Sequence, residues 1–329
     1  MFVVTGATVF WLAVAPCRAD TMLNPAFNVS LVNLGAVSLP VSNTTAYTYQ
    51  GVGFNGQNLL LADWNPAQLS YPTSEVLWQV PTNRAGNGQI TSLGPASAFA
   101  TVETSNDFLY SINVSGGLSN GPGGVLFYST TEGNIGEYLN GASMLIGLSD
   151  PADPAATVSA LGFLPIGTSS QLVAVFAGSN NWYLVSLSAG SNGFYNASLG
   201  NLLFSGVEAT SFVYAPAVPN SSFTTNGILV GDSATQSIQY FGLGPQGNLT
   251  TAGTWLLDTS GNGSIPGYGL ARDPNTGNFI LTANDNNLLT SQVWELDLGA
   301  PEPSTAAGVI LCGVTLWWLA RRRRARTEG

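Results

Sequence analysis

Histidine and lysine are absent from the 329-residue chain, and its two cysteines, Cys17 and Cys312, lie near its ends. Between residues 20 and 300 the only cations are Arg84 and Arg272, against sixteen carboxylates, so this body carries a net charge near −14. Ser-His-Asp and Cys-His nucleophile systems therefore lack their base, and no lysine Schiff base can form. A tetrahedral zinc site would lack its usual imidazole and thiolate ligands, and disulfides within the body are excluded. A nucleic-acid interface would need a basic face, which this composition does not supply.

The body also lacks helical patterning. No fifteen-residue window shows a 3.6-residue apolar stripe, and strong helix formers are scarce. The chain is 8% charged and 45% hydrophobic, with 39 glycines. Short apolar runs with strand chemistry alternate with Gly, Asn, Pro and Ser turns, so the sequence predicts an all-β domain.

Five segments of the body repeat one pattern: a small-residue apolar stretch, a dense apolar run that ends in a polar residue, and an alternating strand. The copies cover 51–54, 58–63 and 75–80; 97–102, 107–113 and 124–129; 159–164, 171–178 and 182–187; 210–215, 227–232 and 237–243; 268–273, 278–285 and 292–297. The spacing of roughly 50 to 60 residues is that of a four-stranded propeller blade with generous loops. We predict a β-propeller of about five blades over 20–300, in which residues 21–50 add a strand to the last blade.

The fifth copy, GLARDPNTGNFILTANDNNLLTSQVWELD, is similar to repeats of NHL-type and gluconolactonase-like calcium-dependent propellers. The resemblance is fair over 268–297 and weaker elsewhere, and it implies a propeller fold. Two packed β-sandwiches or a β-solenoid would use the same strands and remain alternatives.

A polar residue follows the middle run of each copy, at Asp63, Asn113, Asn180, Asp232 and Asp285. In a closed ring these positions would meet at one mouth, and their oxygens suit Ca²⁺. The resemblance implies a hydrolase that uses such an ion to polarise a lactone carbonyl, although the Glu ligand typical of that family is not identifiable. The alternative is that Asp and Asn cap strands and turns here. We therefore predict no required cofactor, with Ca²⁺ as the one candidate.

Three other features have two interpretations each. Asp150 and Asp153 could bind Ca²⁺ on a surface loop or could simply form turns. Arg84 and Arg272 are expected to pair with carboxylates, with Arg272 structural beside Asp273. Aromatic residues could stack on sugar rings or pack between blades, and Trp64 is predicted to be the exposed one.

The C-terminal 29 residues have a distinct order: Pro-Glu-Pro-Ser, an uncharged apolar segment over 305–320, then an arginine cluster. This order resembles the PEP-CTERM sorting signal of Gram-negative bacteria that make exopolysaccharide. The resemblance implies a membrane-inserted intermediate that an exosortase cuts at the motif, with the arginines held in the cytoplasm. The residues concerned are Pro301, Glu302, Pro303, Ser304, Arg321, Arg322, Arg323 and Arg324.

At the other end, residues 1–19 are apolar and close with Cys17-Arg18-Ala19, a pattern that suits signal peptidase. We predict a signal peptide over 1–19, a propeller over 20–300 and a sorting signal over 301–329. The expected product is an exported, non-catalytic protein of the cell surface, outer envelope or extracellular matrix, associated with exopolysaccharide. A calcium-dependent hydrolase or lyase acting on lactones or polysaccharide is the alternative, and recognition of a partner protein through the loops is a third.

Overall fold

The computed structural model describes residues 22–24, 26–27, 29–37, 39, 48–64, 74–104, 109–114, 125–130, 134–218, 223–232, 237–258, 269–285 and 290–297. In these ranges all the regular elements are strands. No helix in the described ranges has the length and hydropathy needed to cross a membrane. The predicted signal peptide and sorting signal both lie outside the described residues.

The strands form five antiparallel sheets of four or five strands and one separate hairpin. The first two strands, β1 (Met22–Leu23) and β2 (Ser30–Ala36), join sheets formed by later parts of the chain. Blade 1 contains β3 (Thr48–Asn55), β4 (Asn58–Trp64), β5 (Ser74–Val80) and β8 (Ser97–Glu103), with the hairpin β6 (Thr82–Arg84) and β7 (Ile90–Leu93) inserted before β8. Blade 2 contains β9 (Leu109–Val114), β10 (Leu126–Thr130), β11 (Asn134–Leu139) and β12 (Ala142–Gly147).

The remaining three blades follow in chain order. Blade 3 contains β13 (Val158–Ile166), β14 (Ser169–Phe176), β15 (Asn181–Ala189) and β16 (Tyr195–Ser205). Blade 4 contains β17 (Ser211–Ala215), β18 (Gly227–Asp232), β19 (Ser237–Gly242) and β20 (Thr254–Asp258), with β1 on its outer edge. Blade 5 contains β21 (Gly269–Arg272), β22 (Phe279–Asp285), β23 (Thr290–Asp297) and, from the N-terminal part of the chain, β2.

The first strands of the five blades surround one axis. Strand β3 packs against β9 and β21, β13 packs against β9 and β17, and β17 packs against β21, which closes the cycle. The fold is therefore a five-bladed β-propeller, as predicted. The predicted ring closure is also confirmed, because β2 pairs with β23 from Ser30 opposite Asp297 to Ala36 opposite Gln292.

Five apolar cores lie between neighbouring blades, one at each interface. In β14, for example, Leu172 and Phe176 face blade 2, whereas Val173 and Val175 face blade 4. Successive residues of a strand point to opposite faces, so a strand between two blades is buried on both sides. This explains why the second strand of each blade is a dense apolar run in the sequence.

The second predicted repeat is one strand out of phase. Residues 97–103 form β8, the outer strand of blade 1, and 109–114 form β9, the first strand of blade 2. The β6–β7 hairpin separates the third and fourth strands of blade 1. Because this insertion lengthens blade 1, the repeat pattern in the sequence places the fourth strand of blade 1 in the second copy.

Candidate functional site

The ring has two ends, which the strand directions define. We call the end that carries the turn after the first strand of each blade the front end, as in residues 167–168 and 273–278. The opposite end, which carries the 177–180 turn, is the back end. The loops at the two ends of a propeller can vary in sequence and length while the blades hold them in place, so binding sites are expected among these loops.

The five Asp and Asn residues predicted to meet at one mouth and bind Ca²⁺ do not all lie at the same end of the ring. Asp63, Asp232 and Asp285 lie at or near the ends of second strands, so their backbone is at the back end. Asn113 belongs to a first strand and pairs with Phe127, which places its backbone toward the front end. The side chains of these four residues, like that of Trp64, lie outside the described residues. Calcium coordination therefore stays a prediction, and the backbone topology separates Asn113 from the other members.

Asn180 is the member of that set whose surroundings are described. It has a φ of 54° in the turn between β14 and β15, a conformation that Asn adopts more readily than most residues. Its N–H donates to the Phe176 carbonyl at 2.9 Å, and its carbonyl accepts from Gly206 N–H at 3.0 Å. Asn180 thus forms a turn. Across the described ranges, no three His, Cys, Asp or Glu side chains are grouped to hold a metal ion.

Asp150 is fully buried at the back end, where the loop from blade 2 meets blade 3. Its Oδ1 accepts from Ala152 N–H at 2.8 Å and from the Tyr183 hydroxyl at 2.9 Å, and its Oδ2 accepts from Asn181 Nδ2 at 2.9 Å. Burial favours the neutral acid, but these bonds and one from Ser179 outweigh it and lower the pKa of Asp150 to about 2. Protein donors therefore occupy this carboxylate, which supports the turn interpretation of Asp150 over that of a surface Ca²⁺ ligand.

The lowered pKa of Asp150 predicts acid sensitivity. A carboxylate with a depressed folded pKa stabilises the fold above its ordinary pKa, and this contribution is lost as pH falls from about 4 to about 2. Asp150→Asn should lower the free energy of unfolding at pH 7 by about 2 kcal/mol and flatten its decline between those pH values. Urea unfolding at several pH values measures both effects. Asp153→Asn is the matched control, since Asp153 accepts one N–H, from Ala155; equal losses in the two variants would contradict the assignment.

An ion pair joins blade 1 to blade 5 at the front end. Arg84 of the β6–β7 hairpin donates from Nη1 to Asp273 Oδ2 at 2.6 Å, and the two side chains are 10% and 0% exposed. Arg84 Nη1 also donates to the Gly88 carbonyl at 2.8 Å, and Asp273 accepts from Asn275 N–H and Thr276 Oγ1, each at 3.0 Å. Asp273 is therefore held by three donors, and we call this arrangement the Arg84–Asp273 clasp.

The clasp leaves Arg272 without its neighbouring carboxylate. The expectation that each body arginine pairs with a carboxylate is right for Arg84, but Arg272 has no ion pair with any described residue. Its Nε donates to the Gly277 carbonyl at 3.3 Å, and its side chain is exposed at the front end. Partial removal from water lowers the pKa of Arg272, while Tyr214 and Asp273 oppose that change.

Tyr214 belongs to the first strand of blade 4, which neighbours the first strand that carries Arg272. Tyr214 lies one residue before the front end of β17, and Arg272 is the last residue at the front end of β21. These two strands pack against each other. Burial raises the pKa of the Tyr214 phenol, the charge of Arg272 opposes the rise, and Tyr240 adds to it. The Tyr240 hydroxyl donates to the Thr225 carbonyl at 2.7 Å in the loop of the same blade. The Tyr214 ring itself packs against the core between blades 3 and 4, on the face of β17 away from blade 5.

Two buried carboxyls, Glu137 and Glu295, were not predicted. Each is fully buried on the third strand of its blade and has one oxygen with a single donor. Tyr195 N–H binds Glu137 Oε2 at 2.7 Å, and Asn278 Nδ2 binds Glu295 Oε1 at 2.8 Å. Among the described residues, the other oxygen of each carboxyl has no hydrogen-bond partner. A lone carboxylate within an otherwise uncharged strand, as in NIGEYL, was the available sequence signal.

Burial raises the pKa of Glu137, and the Tyr195 N–H partly opposes this. A carboxyl with a raised folded pKa stabilises the fold below its ordinary pKa and loses that contribution as pH rises through the raised value. Glu137→Gln should therefore gain stability relative to wild type, on the order of 1 kcal/mol, as pH rises above the ordinary range of a Glu carboxyl. Denaturant unfolding measures this against Glu208→Gln, an exposed position. If Glu137→Gln and wild type differ in free energy of unfolding by the same amount at every pH, the raised pKa of Glu137 is contradicted.

The aromatic residues mainly fill the interfaces between blades. Trp182 and Trp78 are buried, and Trp294 packs against the core between blades 4 and 5. Trp182 also donates from Nε1 to the Val207 carbonyl at 2.8 Å. The packing interpretation is therefore correct for these three. Trp255, on the outer strand of blade 4, is 40% exposed.

No protein-family model matches the chain, and no curated protein matches its sequence. Among solved structures, it is similar to an exo-β-1,3-galactanase of Phanerochaete chrysosporium, at 11% identity and a TM-score of 0.49, over 82% of this chain and 64% of that one. A putative 6-phosphogluconolactonase of Bacteroides uniformis is 12% identical over 82% and 83%, with a TM-score of 0.40. A periplasmic gluconolactonase of Pseudomonas aeruginosa is 11% identical over 80% and 82%, with a TM-score of 0.39. At these values the likeness decides nothing about activity, and the propeller assignment rests on this chain's own strand topology.

Proposed function

We propose that this protein is an exported propeller which the C-terminal signal delivers to the cell surface or extracellular matrix. There it acts as a non-catalytic binding or structural ring, associated with exopolysaccharide. The observation that carries the proposal is the order of Pro301–Ser304, the apolar segment 305–320 and the arginines that follow. An exosortase and a signal peptidase would be its partners during export.

The described carboxylates support a structural use of the ring. Asp150 fixes a loop between blades 2 and 3, and Asp273 forms the clasp between blades 1 and 5. Glu137 binds the backbone of blade 3 from blade 2. Catalytic carboxylates need access to a substrate, whereas these groups are buried in contacts that hold blades together.

Five inter-blade cores and two N-terminal strands that join blades 4 and 5 also suit an exported protein without disulfides. Closing a propeller removes most exposed strand edges, which otherwise promote aggregation. The β1 strand covers part of the outer edge of blade 4, and β2 completes blade 5. Packing and ring closure thus take over the stabilising role that disulfides have in many secreted domains.

Cell fractionation of the native host tests the delivery step. The full chain should reach the surface or medium, and a chain that ends at Ala300 should instead accumulate in the periplasm. A chain with Ser198→Asp, a substitution on the outer strand of blade 3, controls for folding and expression. Equal surface levels of the full and truncated chains would contradict the proposal.

A further inference from the structure

The carboxylates of the body are concentrated at one end of the ring. Nine have their backbone at the back end, in its loops or within two residues of a strand end there: Asp63, Glu75, Glu103, Asp150, Asp153, Glu208, Asp232, Asp258 and Asp285. Glu137 and Glu295 are buried inside strands, and the body carboxylates Asp20, Asp107 and Glu132 lie outside the described residues. The back end is therefore the acidic end.

The front end has few charges. Both body arginines lie there, Arg84 in the β6–β7 hairpin and Arg272 at the end of β21. The two described carboxylates of this end both contact the hairpin: Asp273 binds Arg84, and Asp297 accepts from Gln89 Nε2 at 3.2 Å. Exposed and uncharged residues form the tips of the described front-end turns, at 56–57, 86–87, 140–141, 167–168, 191–193, 245–246 and 274–275. The front end can therefore approach an anionic surface that repels the back end.

The chain leaves the ring at the front end, on the way to its apolar C-terminal segment. Strand β23 is antiparallel to β22 and so runs toward the front end, where Asp297 is its last residue. Seven residues, 298–304, separate Asp297 from the segment 305–320. An extended chain spans at most about 3.6 Å per residue, so the eight steps from Asp297 to Thr305 reach about 29 Å. Insertion of the segment would keep the front end within that distance of a bilayer.

Reversing the ring would bring its acidic end to the bilayer at the limit of this tether. An eight-residue strand such as β14 is about 26 Å long, which approximates the distance between the two ends of the ring. The tether would have to run back along the whole side of the ring. Exposed charges are screened beyond about 10 Å at 0.1 M salt, so anionic lipids repel the back-end carboxylates only in this reversed orientation.

We propose that the front end rests on an anionic lipid bilayer while the segment 305–320 is inserted, with the acidic back end directed away from the lipid. This rests on the proposed function for the inserted intermediate and adds the orientation of the ring. Arginines 321–324 stay in the cytoplasm, so the front end meets the opposite face of the membrane. The Pro-Glu-Pro motif begins four residues after Asp297, so the enzyme that cuts it would work beside the front end.

Quenching of single fluorescent labels by lipid headgroups tests this orientation. The exported chain is purified from a host without an exosortase, with residue 20 as its N-terminus, and Cys312→Ser removes its remaining thiol. It is reconstituted into vesicles of phosphatidylethanolamine and phosphatidylglycerol in which some headgroups carry a nitroxide quencher. The label is attached to one exposed position in each sample: Thr168→Cys at the front end, Ala155→Cys at the back end or Asn201→Cys on the outer strand of blade 3.

The label at Thr168→Cys should lose most of its fluorescence, the label at Asn201→Cys less, and the label at Ala155→Cys almost none. The same labels on a chain that ends at Ala300 set the unquenched baseline. Equal quenching at the three positions, or stronger quenching at the back end or the side of the ring, would overturn the proposal.

Added carboxylates test the contribution of charge. Gln57→Glu with Gln246→Glu places two negative charges at the front end and should reduce the quenching at Thr168→Cys in the anionic vesicles but not in phosphatidylcholine vesicles. The matched control, Ser149→Glu with Ser205→Glu, adds the same charge at the back end and should leave that quenching unchanged. Equal effects of the two pairs would contradict the orientation by charge.

Flotation of the vesicles separates this proposal from the proposed function. A chain that floats with the vesicles while its front-end label stays unquenched would overturn the orientation alone. A chain that does not float would overturn both the orientation and the membrane-inserted intermediate of the proposed function.

Discussion

Arg84→Ala is expected to lower the free energy of unfolding by about 3–5 kcal/mol, the cost of leaving one partner of a buried ion pair uncompensated. Asp273 would keep its two hydrogen bonds from Asn275 and Thr276 but would lose its only counter-ion in the described structure. The β6–β7 hairpin would lose the bonds from Arg84 to the Gly88 and Gln57 carbonyls. Chemical denaturation, followed by tryptophan fluorescence, measures the change.

Arg272→Ala is the matched control for stability, because it removes an equal charge from an adjacent surface without breaking an ion pair. Its effect should stay within about 0.5 kcal/mol. The double variant Arg84→Met with Asp273→Asn should recover much of the loss, since a buried pair replaced on both sides costs little. Equal effects of Arg84→Ala and Arg272→Ala would show that the clasp does not stabilise the ring.

Gly136→Ala should destabilise the protein by about 3 kcal/mol, at the upper end of the range for overpacked cores. The added methyl would overlap the ring of Tyr128, which lies directly opposite on β10 and is fully buried. The Tyr128 hydroxyl donates to the Glu103 carbonyl at 2.8 Å, so the ring cannot move without breaking a link between blades 1 and 2. Thermal and urea unfolding measure the loss.

Gly147→Ala, in the same blade, is the control for this substitution. The nearest atom to its new methyl would be Asn134 Oδ1 at 3.8 Å, and its backbone is not in the left-handed region. Stability should be unchanged or slightly higher, because Ala reduces the entropy of the unfolded chain. Combining Gly136→Ala with Tyr128→Leu should cost less than the sum of the two single changes. An additive result would contradict the steric explanation.

Much of the propeller was predictable because the second strands are buried on both faces. Such strands are recognisable as continuous apolar runs, and the spacing of four of them, with β9 taken as the middle run of the second copy, indicated five blades. The phase within a blade was harder to predict, since an outer strand such as β8 has the same alternation as an inner one. The inserted hairpin β6–β7 therefore shifted the second copy by one strand.

The partners of charged residues were less predictable than the strands. Arg84 and Asp273 are 189 residues apart and meet because blade 5 closes against blade 1. Adjacency in the sequence suggested that Arg272 and Asp273 belong together, whereas the turn directs their side chains to different neighbours. Asp150 similarly resembled a surface loop ligand, and its burial depends on the position of Tyr183, 33 residues later.

The intact mass of the protein recovered from the native host's envelope and medium, wild type beside Glu302→Ala, tests the central claim most directly. We predict a wild-type species that ends near Pro301–Ser304 and has lost the apolar segment and arginines, and that the Glu302→Ala chain does not form it. A species that keeps Arg321 to Arg324 in both chains would contradict sorting by cleavage. It would show instead that the C-terminal segment is a permanent anchor.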